Sequence, residues 1–94
     1  MKQHKIIIQN AAKKDATESR RWYENQQKGL GKRFVNDLKI TLSRIASNPF
    51  SYTIRHEESR KANLLIFPYG VFFFIDENTN TVFVIAIKHN ARNL

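Results

Sequence analysis

Residues 60–92, RKANLLIFPYGVFFFIDENTNTVFVIAIKHNAR, hold two long apolar runs on either side of a polar turn, and this constrains the fold more than any other feature. Residues 70–76 (GVFFFID) and 81–88 (TVFVIAIK) are dominated by β-branched and aromatic residues, which suit a pleated, buried surface. Glu77-Asn78-Thr79-Asn80 between them predicts a four-residue hairpin turn. Runs apolar on both faces imply a sheet covered on both sides, or covered once by its own chain and bound by a partner on the other. Basic residues bracket the segment. Arg60 and Lys61 open it, and Lys88, His89 and Arg92 close it. A sheet that ends in cations is suited to an anionic or acidic partner.

The preceding residues predict a strand and two helices. Residues 3–9 read as a short strand centred on Ile6, Ile7 and Ile8, since consecutive β-branched residues disfavour helix and suit a buried strand. Asn10 is the expected N-cap of a helix over 11–28. Ala12, Ala16, Ser19 and Tyr23 form its inner stripe, while Lys14, Arg21 and Lys28 face water and Glu24 can pair with Lys28. Gly29-Leu30-Gly31 breaks the helix, with Gly29 in the left-handed region. A second helix over 31–47 carries the stripe Phe34, Val35, Leu38, Thr41, Leu42 and Ile45, and Ile40 falls off it. Asn48-Pro49 stops this helix. The short break makes an antiparallel helical hairpin.

Two further strand candidates are 52–56, which is weak, and 61–67, which is strong, with Pro68-Tyr69-Gly70 turning the chain into the next strand. The expected class is α+β, in the order β-α-α-β-β-β: one domain over 1–94, with the hairpin on one face of a mainly antiparallel sheet of four or five strands. Two helices leave the other sheet face open. Large apolar side chains, Phe72 and Phe74 among them, are then expected to need a partner.

Sixteen basic and eight acidic residues give a net charge of +8. For a chain of 94 residues this favours a nucleic acid, a ribosome or an acidic protein as partner. There is no cysteine, and the N-terminal apolar run of three residues is too short for a secretion signal or a membrane span. A soluble, cytoplasmic protein is expected. The sequence contains no P-loop, dinucleotide fingerprint or HExxH, and His4, His56 and His89 are too far apart for a local metal motif. No metal or cofactor is expected. One set of residues has the equipment of a metal-free ribonuclease, if the strand ends meet. His56, Glu57, Glu58, Arg60 and Lys61 form one half, and Lys88, His89 and Arg92 form the other. The alternative is a solvated loop and a frayed basic terminus. Trp22 and Tyr69 suit base stacking or, equally, packing.

The order of elements and several local motifs resemble the RelE/ParE superfamily of toxins from type II toxin–antitoxin systems. Asp15 to Gln27 followed by Gly29-Leu30-Gly31 and Phe34 is similar to the family's first helix and the start of its second. Leu42 to Pro49 is similar to the end of that second helix. Arg60 with Phe67-Pro68-Tyr69, Val71 and Phe73 resembles its Arg…(Tyr/Phe)-Pro-Tyr strand, and Val84 to His89 with Arg92 resembles its closing His-x-x-Arg strand. The resemblance runs from about residue 5 to residue 93. It implies a small acidic antitoxin as partner, with Trp22, Tyr23, Ile40, Phe72 and Phe74 as candidate contacts. It also implies one of two targets. A ParE-like toxin binds DNA gyrase, here through Arg60, Lys88, His89 and Arg92. A RelE-like toxin cleaves mRNA on the ribosome, with His89 as acid/base and Arg60, Lys88 and Arg92 on the phosphate. A degenerate toxin that only binds its antitoxin is the third possibility. Where RelE-like members carry a catalytic arginine this chain has Gly70, and Asn93-Leu94 supplies no terminal tyrosine. The ParE-like branch is therefore the expectation.

Overall fold

The structure is a computed structural model and describes residues 3–91. Its elements are β1 (Lys5–Ile8), α1 (Asn10–Gln26), α2 (Leu30–Ser47), a short 3-10 turn (Pro49–Ser51), β2 (Ile54–His56), β3 (Ser59–Asn63), β4 (Tyr69–Asp76) and β5 (Thr81–His89). The strands form one sheet in the order β1-β5-β4-β3-β2. β1 runs parallel to β5, and every other neighbouring pair is antiparallel. This is the expected α+β arrangement.

Both inner helical stripes lie where the 3.6-residue period puts them. Ala12 and Tyr23 of α1, and Phe34, Leu38, Thr41 and Ile45 of α2, are buried. Phe34 lies at the centre of an aromatic group, with ring centroids 5.5 Å from Tyr23, 5.5 Å from Phe67 and 5.0 Å from Tyr69. Asn10 is the first helical residue rather than the cap. Gln9 holds the cap position without a side-chain bond, and its own N–H still donates to the carbonyl of Val84 as a continuation of β1. β1 is also less buried than three consecutive isoleucines imply. Ile6 and Ile8 pack on the core, whereas Ile7 points to the other face and is 38% exposed.

α1 ends at Gln26, so Lys28 lies in the turn. Gly29 takes the left-handed conformation at φ 88°, as expected. Glu24 does not pair with Lys28. Its carboxylate accepts hydrogen bonds from the N–H groups of Gly29 (3.0 Å) and Gly31 (3.0 Å), which closes the first turn of α2. Gly31 is needed for a different reason. A Cβ there would lie 2.7 Å from the carbonyl oxygen of Arg20, so only glycine lets the two helices approach this closely.

The largest departure from expectation is at 61–67. The strand covers Ser59–Asn63, and Leu64 to Pro68 form a loop. Asp37, buried in the middle of α2, is the cause. Its carboxylate accepts from the N–H groups of Leu65 (3.1 Å), Ile66 (2.9 Å) and Phe67 (2.8 Å). Those three donors would otherwise have to find a neighbouring strand. The loop buries Leu64 and Phe67 and leaves Leu65 and Ile66 in solvent.

A bulge in β5 sets the sheet faces. Phe73 pairs with Val84 and Phe72 with Ala86, so Ile85 is the extra residue. Val82 and Val84 face the helices, and after the bulge Ile87 does so in place of Ala86. Strict alternation would have sent Ile87 outward with Phe83 and Ile85.

Two outcomes follow from these anchors. The bonds from Gly29 and then Gly31, with help from Arg20 and Lys28, lower the pKa of Glu24 from its ordinary 4.5. A lowered pKa means that the stabilisation is complete above the ordinary value and is lost as pH falls through the folded value. Glu24→Gln should therefore lower the urea midpoint at pH 7, and lower it progressively less as pH falls below 4.5; a loss that does not change with pH would refute the role. Asp37→Ala strands three loop donors and should destabilise by about 3 kcal/mol in urea denaturation. A loss under about 1 kcal/mol would show that the loop does not depend on this carboxylate.

Candidate functional site

The sheet face turned away from the helices is apolar and open. Ile7, Phe83 and Phe74 form one row across β1, β5 and β4, and Lys61, Phe72 and Ala86 form the next across β3, β4 and β5. Phe74 and Phe83 stack with centroids 5.1 Å apart and planes 18° from parallel. The ammonium of Lys61 lies over the ring of Phe72, 5.6 Å from its centroid, and its stem fills the space over Gly70. A crevice of about 650 Å³ is lined by Phe74, Ile85 and the turn His56–Ser59. In that turn His56 Nε2 lies 3.3 Å from the Glu57 carboxylate, both in open solvent.

The basic groups do not converge on one point. β3 and β5 run in the same direction, so Arg60 is level with Val84, while Lys88 is level with Asn63. Arg60 and the His56–Ser59 turn are therefore at the opposite end of the sheet from Lys88 and His89. Arg60 also faces the helix side, where Nη1 donates to the Tyr52 carbonyl (2.6 Å) and the guanidinium lies 5.4 Å from the Phe50 ring centroid. Lys88 pairs with Asp15 at 3.1 Å. His89 packs edge-on against Tyr69, with centroids 5.2 Å apart, and its Nδ1 accepts from the Ala91 N–H at 3.0 Å. Arg92 lies outside the described residues. The acid–base set expected from the sequence is thus divided between two ends and two faces. Among the described residues, no three His, Cys, Asp or Glu side chains are placed to hold a metal ion, and no helix is long and apolar enough to cross a membrane.

The other expected contacts differ in placement. Trp22 and Ile40 are 45% and 51% exposed, and Phe72 and Phe74 are half-buried on the open face. Tyr23, by contrast, belongs to the core, with its ring against Phe34 and Phe67. Two residues that position the site escaped the sequence reading. β1 ends level with Val84, so β5 beyond it has no strand neighbour on that side. Asp15 takes over there, accepting from the Ile87 N–H (2.9 Å) and from Lys88. Asp15 and Asp37 both carry the same signal: an acid three or four residues from members of a buried stripe (Ala12 and Ser19 for Asp15; Phe34 and Thr41 for Asp37).

Over residues 6–94 the chain matches the family model described as ParE toxin of type II toxin-antitoxin system, parDE. The chain belongs to the ParE toxin family. Solved structures share the fold of this ParE-family chain at low sequence identity. The chromosomal ParDE system of P. aeruginosa matches with a TM-score of 0.78 and 12% identity, covering 93% of this chain and 96% of that one. The RelBE2 toxin–antitoxin complex of Mycobacterium tuberculosis matches with a TM-score of 0.70 and 15% identity, covering 97% and 95%. The intact E. coli RelBE complex matches with a TM-score of 0.68 and 18% identity, covering 89% and 93%. No curated protein matches in sequence.

In the ParE-family chain, Asp15 is the structural member of its pair with Lys88, being 16% exposed against 54%. Asp15→Ala should cost about 2 kcal/mol in urea denaturation, since it also strands the Ile87 donor. Lys88→Ala should cost less than about 1 kcal/mol. Equal losses would mean that the ion pair, and not the backbone bond, anchors α1 to β5.

Proposed function

We propose that this chain is the toxin of a type II toxin–antitoxin pair, that an acidic antitoxin covers the open sheet face, and that the free toxin arrests growth by binding DNA gyrase. The family match over residues 6–94 carries the reading. The three similar structures come from toxin–antitoxin systems, which supports an antitoxin as partner. The cluster of Phe72, Phe74, Phe83 and Ile85 on this face, none of them fully buried, supports the surface, because contiguous exposed apolar side chains on a small protein mark an interaction site. Lys61, which lies on this face over Phe72, suits an acidic partner.

Gyrase is favoured over mRNA by the ParE branch of the match and by the separation of Arg60 from His89. Metal-free cleavage of RNA needs an acid/base and phosphate-binding cations within reach of one phosphate. In this reading Lys88, His89 and Arg92 contact the target as a charged surface, and Arg60 holds the Tyr52 carbonyl.

Induced expression without antitoxin, with DNA and protein synthesis followed by labelled precursors, tests the target. DNA synthesis should stop first, Arg92→Glu should abolish the arrest, and His89→Ala should be mild. An early stop in translation with fragmented mRNA would reassign the chain as a ribosome-dependent endonuclease, in which His89→Ala lowers cleavage by about 10²–10⁴-fold. Normal growth would leave only an antitoxin-binding protein. Separately, Phe74→Asp should weaken antitoxin binding at least about tenfold by desolvating a charge in the interface; unchanged affinity would move the antitoxin off this face.

A further inference from the structure

The positive charge of this chain is concentrated away from the open sheet face and the sheet end. Nine of the sixteen basic residues lie between Asn10 and Ser47, and all nine are exposed. The same stretch has four acids, and three of them are engaged within the molecule. Asp15 holds Ile87 and Lys88, Glu24 holds Gly29 and Gly31, and Asp37 holds the loop after β3. Glu18 is the one acid of the hairpin without such a bond.

Six of these nine cations lie along the crease between the helices or on the helix backs beside it, whereas Arg33 and Arg44, four residues from Asp37 and Ile40 respectively, lie on the flank of α2 away from it. Arg20 is on the α2 side of α1, since its own carbonyl faces Gly31. A crevice of about 500 Å³ opens there, lined by Arg20, Lys28 and Lys32 together with Glu24, Gly29 and Val35. Lys14 and Arg21, seven residues apart, continue the line down the back of α1, and Lys39 lies two turns beyond Lys32 on α2. The result is a cationic row on each side of the crease. The exposed apolar residues of the hairpin lie elsewhere. Trp22 is on the flank of α1 that carries Glu18, and Ile40 is beside Asp37 on the flank of α2 away from α1.

From this arrangement we infer that the outer crease of the helical hairpin is a sequence-independent binding surface for the phosphate backbone of duplex DNA. Three properties select that occupant. Protein interfaces deplete lysine and need buried apolar anchors, and the crease has one, the half-buried Val35. Interfaces with DNA are strongly basic and need no such anchor. Two helices packed about 8–10 Å apart also hold their cationic rows at a separation near the major-groove width of about 12 Å, so each row meets the phosphates of one strand. The crease has no exposed aromatic ring on which unpaired bases could stack, which favours a duplex over a single strand. This surface is distinct from the antitoxin and target surfaces proposed above and does not depend on either.

The test is fluorescence anisotropy with the full chain and a labelled 20-base-pair DNA duplex of random sequence, between 50 and 200 mM NaCl. Binding should have a Kd of roughly 10⁻⁴–10⁻⁶ M near physiological salt and be insensitive to sequence. The slope of log K against log salt should be about −4 or steeper, from some five phosphates neutralised. The triple variant Lys14→Glu, Arg21→Glu, Lys28→Glu should weaken binding at least tenfold and flatten the slope. The control Lys5→Glu, Arg55→Glu, which reverses two exposed cations outside the hairpin, should change binding less than twofold. Circular dichroism checks that each variant is folded, and Lys14→Gln, Arg21→Gln, Lys28→Gln replaces the reversal if it is not. Equal weakening by the control would show a net-charge effect and overturn the inference. Tighter binding of single-stranded RNA of equal length, or displacement of the duplex by polyglutamate at equal charge, would also overturn it, in favour of RNA or an acidic protein.

Discussion

A pair of packed helices is roughly 20 Å wide, and five strands about 4.8 Å apart span a similar distance. One helical hairpin therefore covers one face of this sheet and has nothing left for the other. Everything else in the molecule adjusts to that constraint. Phe73, Val71, Val82 and Val84 fill the covered side and are fully buried. The bulge at Ile85 then turns Ile87 inward to meet α1, which lets β5 remain buried against the hairpin to its end. The cost is a second apolar surface, with Phe72, Phe74 and Phe83 only half-buried.

The elements of the fold were legible because their signals are periodic and local. The stripes Ala12–Tyr23 and Phe34–Ile45, and the two runs around the turn at 77–80, sum many weak preferences that point the same way. What was not legible depended on single contacts between distant residues. The end of β3 at Asn63 is set by Asp37, and no property of LLIF itself opposes a strand there. The exposure of Ile7 follows from β1 being an edge strand, which three isoleucines do not reveal. For the candidate site, the open face was readable as a surplus of apolar residues. The grouping of Arg60 with His89 was not, because the direction of β3 relative to β5 decides it and composition is silent on direction.

Acids and bases divide the work of the helical hairpin. Asp15, Glu24 and Asp37 each bind backbone N–H groups that no helix or strand supplies with an acceptor: at a strand edge, at a helix start and in a loop. Carboxylates suit this task because one group accepts several donors, and such charge-assisted bonds are stronger than neutral ones. With three of the four acids of the hairpin committed to backbone donors, its nine exposed cations are left in excess on the surface. The basic outer surface of the hairpin is thus a by-product of how its interior is tied together, and the same residues satisfy both architecture and electrostatics.

The pairing of Lys5 with Thr81 joins the first strand of the sheet to the last. On a nascent chain β1 emerges early and has no neighbour until β5 is made, because β4 lies on the far side of β5. The helical hairpin can form from local contacts during that interval, but the face it buries is assembled only when the closing strand arrives. Sheets completed by such long-range closure fold slowly and expose their apolar runs while they wait. Synthesis of this chain therefore leaves a period in which its most aggregation-prone residues have been made and its tertiary structure has not formed.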